Sequence, residues 1–137
     1  MFNSSEPTVF LVEDDPSYQT ALKRLLRAAR VPCEAFGSAE EFLNCRERLG
    51  TGCILLDIQL PGISGIDLQQ VLASLGFLRP IIFLTSQSDL STGVRAMKAG
   101  TVDFLTKPVQ AASLLAAIKR AFDVDAANRQ AGPGKVS

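Results

Sequence analysis

The chain has 137 residues, with 14 Lys plus Arg balanced by 14 Asp plus Glu. Zero net charge offers no electrostatic pull toward nucleic acid, and the lack of any histidine excludes His-based acid–base catalysis, His metal ligands and a phosphohistidine carrier within the chain. At 47% apolar and 20% charged residues it reads as one globular domain with one core; it has neither the ~18-residue apolar run of a membrane span nor a signal-peptide pattern, so a cytoplasmic location is expected.

Short apolar runs at 9–13, 33–36, 53–57, 81–85 and 102–105 predict five strands, and the segments between them carry helical spacing. The first helix is predicted from Pro16, with Asp15 as N-cap and with Ala21, Leu22, Leu25, Leu26 and Ala29 on one face. The second opens on a capping box, Ser38-Ala39-Glu40-Glu41. The third is predicted from Ser64 to about Leu75, with Gly76 as the stop. A fourth spans 91–99 and a fifth 111–124. From Asp125 onward the chain is small and polar, so 1–124 is read as the domain and 125–137 as a flexible tail or the start of a linker. The three cysteines, Cys33, Cys45 and Cys53, have no C-x-x-C spacing. Cys33 and Cys53 are expected in the core, and Cys45 is the best candidate for an exposed thiol.

Strands alternating with helices predict an α/β fold, a parallel sheet covered on both faces. Ligands of such sheets bind at the C-terminal strand ends. Asp14 and Asp15 follow the first strand, Asp57 ends the third, Thr85 ends the fourth, and Lys107 follows the fifth. One of the first two acids can reach a divalent cation directly and the other through water. Asp57 is a candidate nucleophile toward phosphorus. Lys107 would supply charge and Thr85 a hydroxyl for the phosphoryl oxygens. Lys107-Pro108 is also a candidate cis peptide.

The segments Val9-Phe10-Leu11-Val12-Glu13-Asp14-Asp15, Leu56-Asp57-Ile58-Gln59-Leu60-Pro61-Gly62, Phe83-Leu84-Thr85-Ser86 and Asp103-Phe104-Leu105-Thr106-Lys107-Pro108 together resemble the receiver domains of two-component response regulators. Ser38 to Leu43 and Val94 to Gly100 are most similar to receivers of the FixJ type, which usually precede a helix-turn-helix DNA-binding domain. The resemblance implies a flavodoxin-like (βα)5 doubly wound sheet in the order 2-1-3-4-5. It implies Asp57 as phosphoacceptor, with Mg²⁺ or Mn²⁺ held by Asp14, Asp15, Asp57 and the backbone carbonyl of Gln59. Thr85 and Phe104 would be the switch pair and Lys107 the conserved-role lysine. Gln59, Ser86 and Gln87 would tune the site, the two glutamines through the lifetime of the acyl phosphate. The implied partners are a sensor histidine kinase and a second copy of the chain, docked through the fourth helix, fifth strand and fifth helix. DNA would be reached only through an output domain absent from this chain.

Three rivals are weighed against this reading. An Asp-nucleophile phosphatase needs a D-x-D motif, which Asp57-Ile58-Gln59 does not supply. A flavodoxin-like cofactor protein needs a phosphate-cradling loop after the first strand, where Glu13-Asp14-Asp15 stands instead. A binding-only pseudo-receiver would not need the complete constellation.

Overall fold

The computed structural model describes residues 6–86 and 101–131. Its elements in chain order are β1 (Thr8–Val12), α1 (Pro16–Ala28), β2 (Cys33–Phe36), α2 (Ala39–Cys45), a 3-10 turn (Arg46–Arg48), β3 (Gly52–Asp57), α3 (Gly65–Ser74), β4 (Ile81–Thr85), β5 (Thr101–Thr106) and α4 (Ala111–Ala131). The predicted helix over 91–99, and Gln87 with it, lies outside the described residues. The C-terminal helix, fifth in the sequence reading, is α4 here.

All strand pairs are parallel and the order is β2-β1-β3-β4-β5, a flavodoxin-like sheet as expected. Side-chain alternation along each strand feeds two separate cores. Phe10, Val12, Phe36, Phe42, Leu56, Leu68 and Phe83 form one cluster, under α2 and α3. Val9, Leu11, Leu22, Leu26, Leu55, Leu84, Leu114 and Ile118 form the other, under α1 and α4. The first is aromatic: Phe36 meets Phe42 edge-on at 5.3 Å between ring centroids, and Phe77 meets Phe42 likewise at 5.9 Å.

The helix starts follow their capping chemistry. Asp15 Oδ1 accepts from the N–H groups of Ser17 (2.9 Å) and Tyr18 (3.4 Å), with Pro16 opening α1. Ser38 Oγ accepts from Glu41 N–H at 3.1 Å; the return bond of the box goes from Gly37 N–H to Glu41 Oε1, at 2.8 Å. Ser64 Oγ accepts from Asp67 N–H at 3.1 Å and starts α3.

Three expectations need correction. On the predicted apolar face of the first helix, Leu22 and Leu26 are buried, whereas Ala21 and the C-cap residue Ala29 are exposed. Cys45 is half-buried against the aromatic core rather than exposed. The last helix does not stop at 124 but continues to Ala131. The 126–131 segment looks like linker because it is small and polar, yet its alanines are strong helix formers. Asp125 anchors this extension: it is 2% exposed, accepts from Gly52 N–H at 3.0 Å and is paired with Arg129 at 3.1 Å.

Candidate functional site

In a parallel sheet all strands end on the same edge, and here that edge gathers the charged residues. By strand parity Glu13 continues the row Val9–Leu11, Asp57 the row Cys53–Leu55, and Lys107 follows Leu105. Those apolar residues all pack into the α1/α4 core. Glu13, Asp57 and Lys107 are therefore aimed to one side of the sheet end and meet there. Lys107 Nζ donates to Asp57 Oδ2 and to Glu13 Oε1, both at 2.9 Å. Asp57 Oδ1 accepts from the Gln59 N–H at 3.0 Å. Asp57 is 5% exposed and Glu13 0%, so these partners replace the water that an ionised carboxylate loses on burial.

Burial pushes the Glu13 carboxyl up, and the nearby Asp57 adds to the push. The hydrogen bonds from Lys107 and from Asp15 N–H (3.1 Å) oppose it, leaving the pKa at about 7. Burial lowers the Lys107 ammonium, but its hydrogen bonds to Asp57 and Glu13 outweigh this and raise it overall. Lys107 thus stays charged at neutral pH.

The acidic group differs in register from the sequence reading. Carboxylate oxygens of Glu13, Asp14 and Asp57 lie within 4.8 Å of one another. The adjacent acids facing Asp57 are Glu13 and Asp14. Asp15, expected as a metal ligand, lines the same cavity but commits one oxygen to capping α1. The physical reason is chain direction: after Asp14 the backbone turns into α1, and Asp15 takes the N-cap position. Glu13 was the missed residue, and the parity of Val9 and Leu11 is the signal that points to it.

The cavity at this edge holds about 290 Å³ and is lined by Glu13, Asp14, Asp15, Asp57, Gln59, Ser86 and Lys107. Its donor set fits a hard divalent cation: oxygen ligands only, several of them carboxylates, and more negative than positive charge. Asp14 and Asp57 would hold the cation, with Glu13 beside them.

Thr85 and Phe104 lie on the opposite parity. Thr85 continues Ile81–Phe83, is 1% exposed, and its hydroxyl donates to the Ser86 carbonyl at 3.2 Å. Phe104 is half-buried, pairs in register with Phe83 and packs against the aromatic core. An irregularity between Ile81 and Ile82 shifts the β5 register there, so Val102 and Phe104 pack into different cores. Lys107 N–H donates to the Thr85 carbonyl at 2.8 Å, tying the two strand ends together. The Lys107–Pro108 peptide is cis.

A doubly wound sheet with this acidic edge and its lysine defines a class, and the family profile of the response regulator receiver domain matches residues 9–119. The chain belongs to the receiver domain family of two-component response regulators. Nodulation protein W of Bradyrhizobium diazoefficiens is 44% identical over 93% of this chain and 56% of its own length. The solved response regulator StyR has a TM-score of 0.85 at 44% identity, over 92% of this chain and 64% of that one. FixJ-N has 0.81 at 32% identity, over 90% of this chain and 96% of that one. The transcriptional regulatory proteins TdiR of Thauera aromatica and FixJ of Azorhizobium caulinodans are 39% and 35% identical. The chain spans 51–56% of the length of these curated relatives. No helix among the described residues is long and apolar enough to cross a membrane.

Proposed function

We propose that Asp57 accepts a phosphoryl group from the phosphohistidine of a sensor histidine kinase and that the acyl phosphate switches partner binding. The supporting observation is the hold on Asp57: Lys107 and the Gln59 N–H grip its two oxygens, beside the Glu13–Asp14 pair. An Asp57 oxygen attacks phosphorus, the P–N bond breaks, and its electron pair stays on the imidazole of the donor. Positioning and charge neutralisation carry most of such a transfer. Asp57 and Asp14, with the Gln59 carbonyl, would hold Mg²⁺ or Mn²⁺, which supplies positive charge for the phosphoryl oxygens. Lys107 keeps Asp57 in place beforehand and moves to a phosphoryl oxygen afterwards.

Phosphorylation adds charge and acceptor oxygens where Asp57 stood. The Thr85 hydroxyl turns from Ser86 O toward the phosphoryl group, and the Phe104 ring follows into the aromatic core. Burying a Phe side chain shifts roughly 1.5–3 kcal/mol, enough to move a two-state balance by an order of magnitude. The surface around β5 and α4, with the 91–99 segment, then changes its affinity for a second copy of the chain. Transcription would be controlled through an output domain beyond this chain, consistent with regulators such as TdiR and FixJ.

Incubation with acetyl phosphate and Mg²⁺ should give acid-labile phosphate at Asp57, and Asp57→Asn should abolish it. Labelling that survives the substitution overturns the assignment. After donor removal, Gln59→Ala and Gln87→Ala should each change the rate of phosphate loss more than twofold; smaller changes in both would remove the tuning role.

A further inference from the structure

Lys107 has a third neighbour besides Glu13 and Asp57. Its Nζ lies 4.6 Å from the centroid of the Tyr18 ring, within cation–π range. The other end of the same side chain reaches the backbone beyond Lys107: the Tyr18 hydroxyl oxygen accepts from Val109 N–H at 3.2 Å. Tyr18 stands in the first turn of α1, where the Asp15 cap fixes its own backbone N–H. One half-buried phenol therefore touches both the tip of the lysine and the chain two residues past it.

We infer that Tyr18 is a positioning residue for Lys107 in phosphoryl transfer to Asp57, holding the ammonium through its ring face and the loop after β5 through its hydroxyl. The inference rests on the phosphoacceptor reading above. A lysine stem has four rotatable carbons and a compact, strongly hydrated charge, so two carboxylates alone leave it free to swing with them. The partners also change during the reaction, since Asp57 loses its carboxylate charge when it becomes an acyl phosphate. The charge-assisted hydrogen bond from Lys107 to Asp57 then weakens. A ring face attracts a cation over a range of about 6 Å, so it keeps its hold while Nζ passes from Asp57 to a phosphoryl oxygen. Tyr18 is half-buried and also packs against the α1/α4 core, whose fully buried α1 positions are Leu22 and Leu26, so the comparison of two rings of like shape separates the cation contact from packing.

The test compares Tyr18 with Phe, pentafluorophenylalanine and Leu at position 18. Phe keeps the ring and loses the acceptor, pentafluorophenylalanine keeps the shape and inverts the ring's charge distribution, and Leu loses both. The first readout is the rate of Asp57 phosphorylation by acetyl phosphate at saturating Mg²⁺, followed by mass. The second is the ring-current displacement of the Lys107 side-chain NMR signals in unphosphorylated protein. Phe should retain most of the rate, whereas pentafluorophenylalanine and Leu should lose about threefold to tenfold. The Lys107 ring-current displacement should persist in Phe and vanish in Leu. Equal rates for Phe and pentafluorophenylalanine, or no ring-current displacement in the parent protein, overturn the positioning role while leaving the phosphoacceptor reading intact. A parent chain that takes up no phosphate at Asp57 overturns both. Pentafluorophenylalanine matches Phe in shape, so that pair decides the question even where Leu unfolds the chain.

Discussion

Gly65 sits at the first position of α3, directly against the end of the strand that carries Asp57. Its N–H donates to the Ile58 carbonyl at 2.9 Å. A Cβ added there would lie 2.3 Å from the Asp57 carbonyl oxygen and 2.9 Å from Ile58 Cα. Tolerable approaches begin near 3.0 Å, so the backbone must open by about 0.7 Å, the gap between 2.3 and 3.0 Å. Both sides of the contact are main chain, and no side chain can rotate away. Helix propensity favours Ala over Gly by about 1 kcal/mol, whereas overpacking costs about 1–3 kcal/mol. Gly65→Ala should therefore lose up to about 2 kcal/mol, lowering the urea midpoint by up to about 1 M for a slope of about 2 kcal/mol per M. The same opening displaces the chain that carries Asp57. Misplacement by about 1 Å can cost on the order of a hundredfold in rate, so phosphorylation should slow at least tenfold. Gly76→Ala is the control: nothing lies within 4 Å of its Cβ, but its φ is +75°. It should cost about 1–2 kcal/mol through backbone strain and leave phosphorylation alone. Chemical denaturation with phosphorylation kinetics on both variants decides the matter. A Gly65→Ala protein that gains stability, or labels at the parent rate, refutes this role for the close contact.

Two further outcomes follow from buried charge. Asp125→Ala strands the buried Gly52 N–H, at a cost of about 1–3 kcal/mol. A chain ended at Val124 should lose at least as much, and urea midpoints equal to that of the parent would show the extension of α4 to be dispensable. Glu13 has a folded pKa near 7 against 4.5. Between those values the folded chain holds a proton that the unfolded chain has released, so its stabilising contribution is full below pH 4.5 and is lost as pH rises through about 7. In EDTA the parent should lose stability over that window, and Glu13→Gln should lose less; parallel slopes would show that Glu13 is not the titrating group.

The fold was legible because each level of the sequence agrees with the next. Strand runs, caps at Asp15, Ser38 and Ser64 and stops such as Gly76 all point to one alternating architecture. The placement of Asp57, Thr85 and Lys107 at one edge was legible because strand ends share an edge in a parallel sheet. Glu13 is legible only through the parity of Val9 and Leu11, since a run of three acids by itself hides which of them continues the strand and which turns into the helix. The end of α4 was hidden too: a tertiary hydrogen bond, from Gly52 to Asp125 across 73 residues, helps to secure helix where composition suggests a tail. Tyr18 carried no local signal, because its contacts are to residues some ninety positions away.

The sheet divides two kinds of packing, one aliphatic and one rich in phenylalanine. Glu13, Asp57 and Lys107 extend the aliphatic side, while Thr85 and Phe104 extend the aromatic side. On the proposed function, the phosphoryl site and the switch pair thus lie on opposite faces of the sheet. For that function, one link from Asp57 to Phe104 among the described residues runs through the ends of β4 and β5, where Lys107 N–H meets the Thr85 carbonyl. A substitution among the leucines under α1 and α4 therefore disturbs the surroundings of Glu13, Asp57 and Lys107 first, and one among the rings under α2 and α3 disturbs those of Phe104 first.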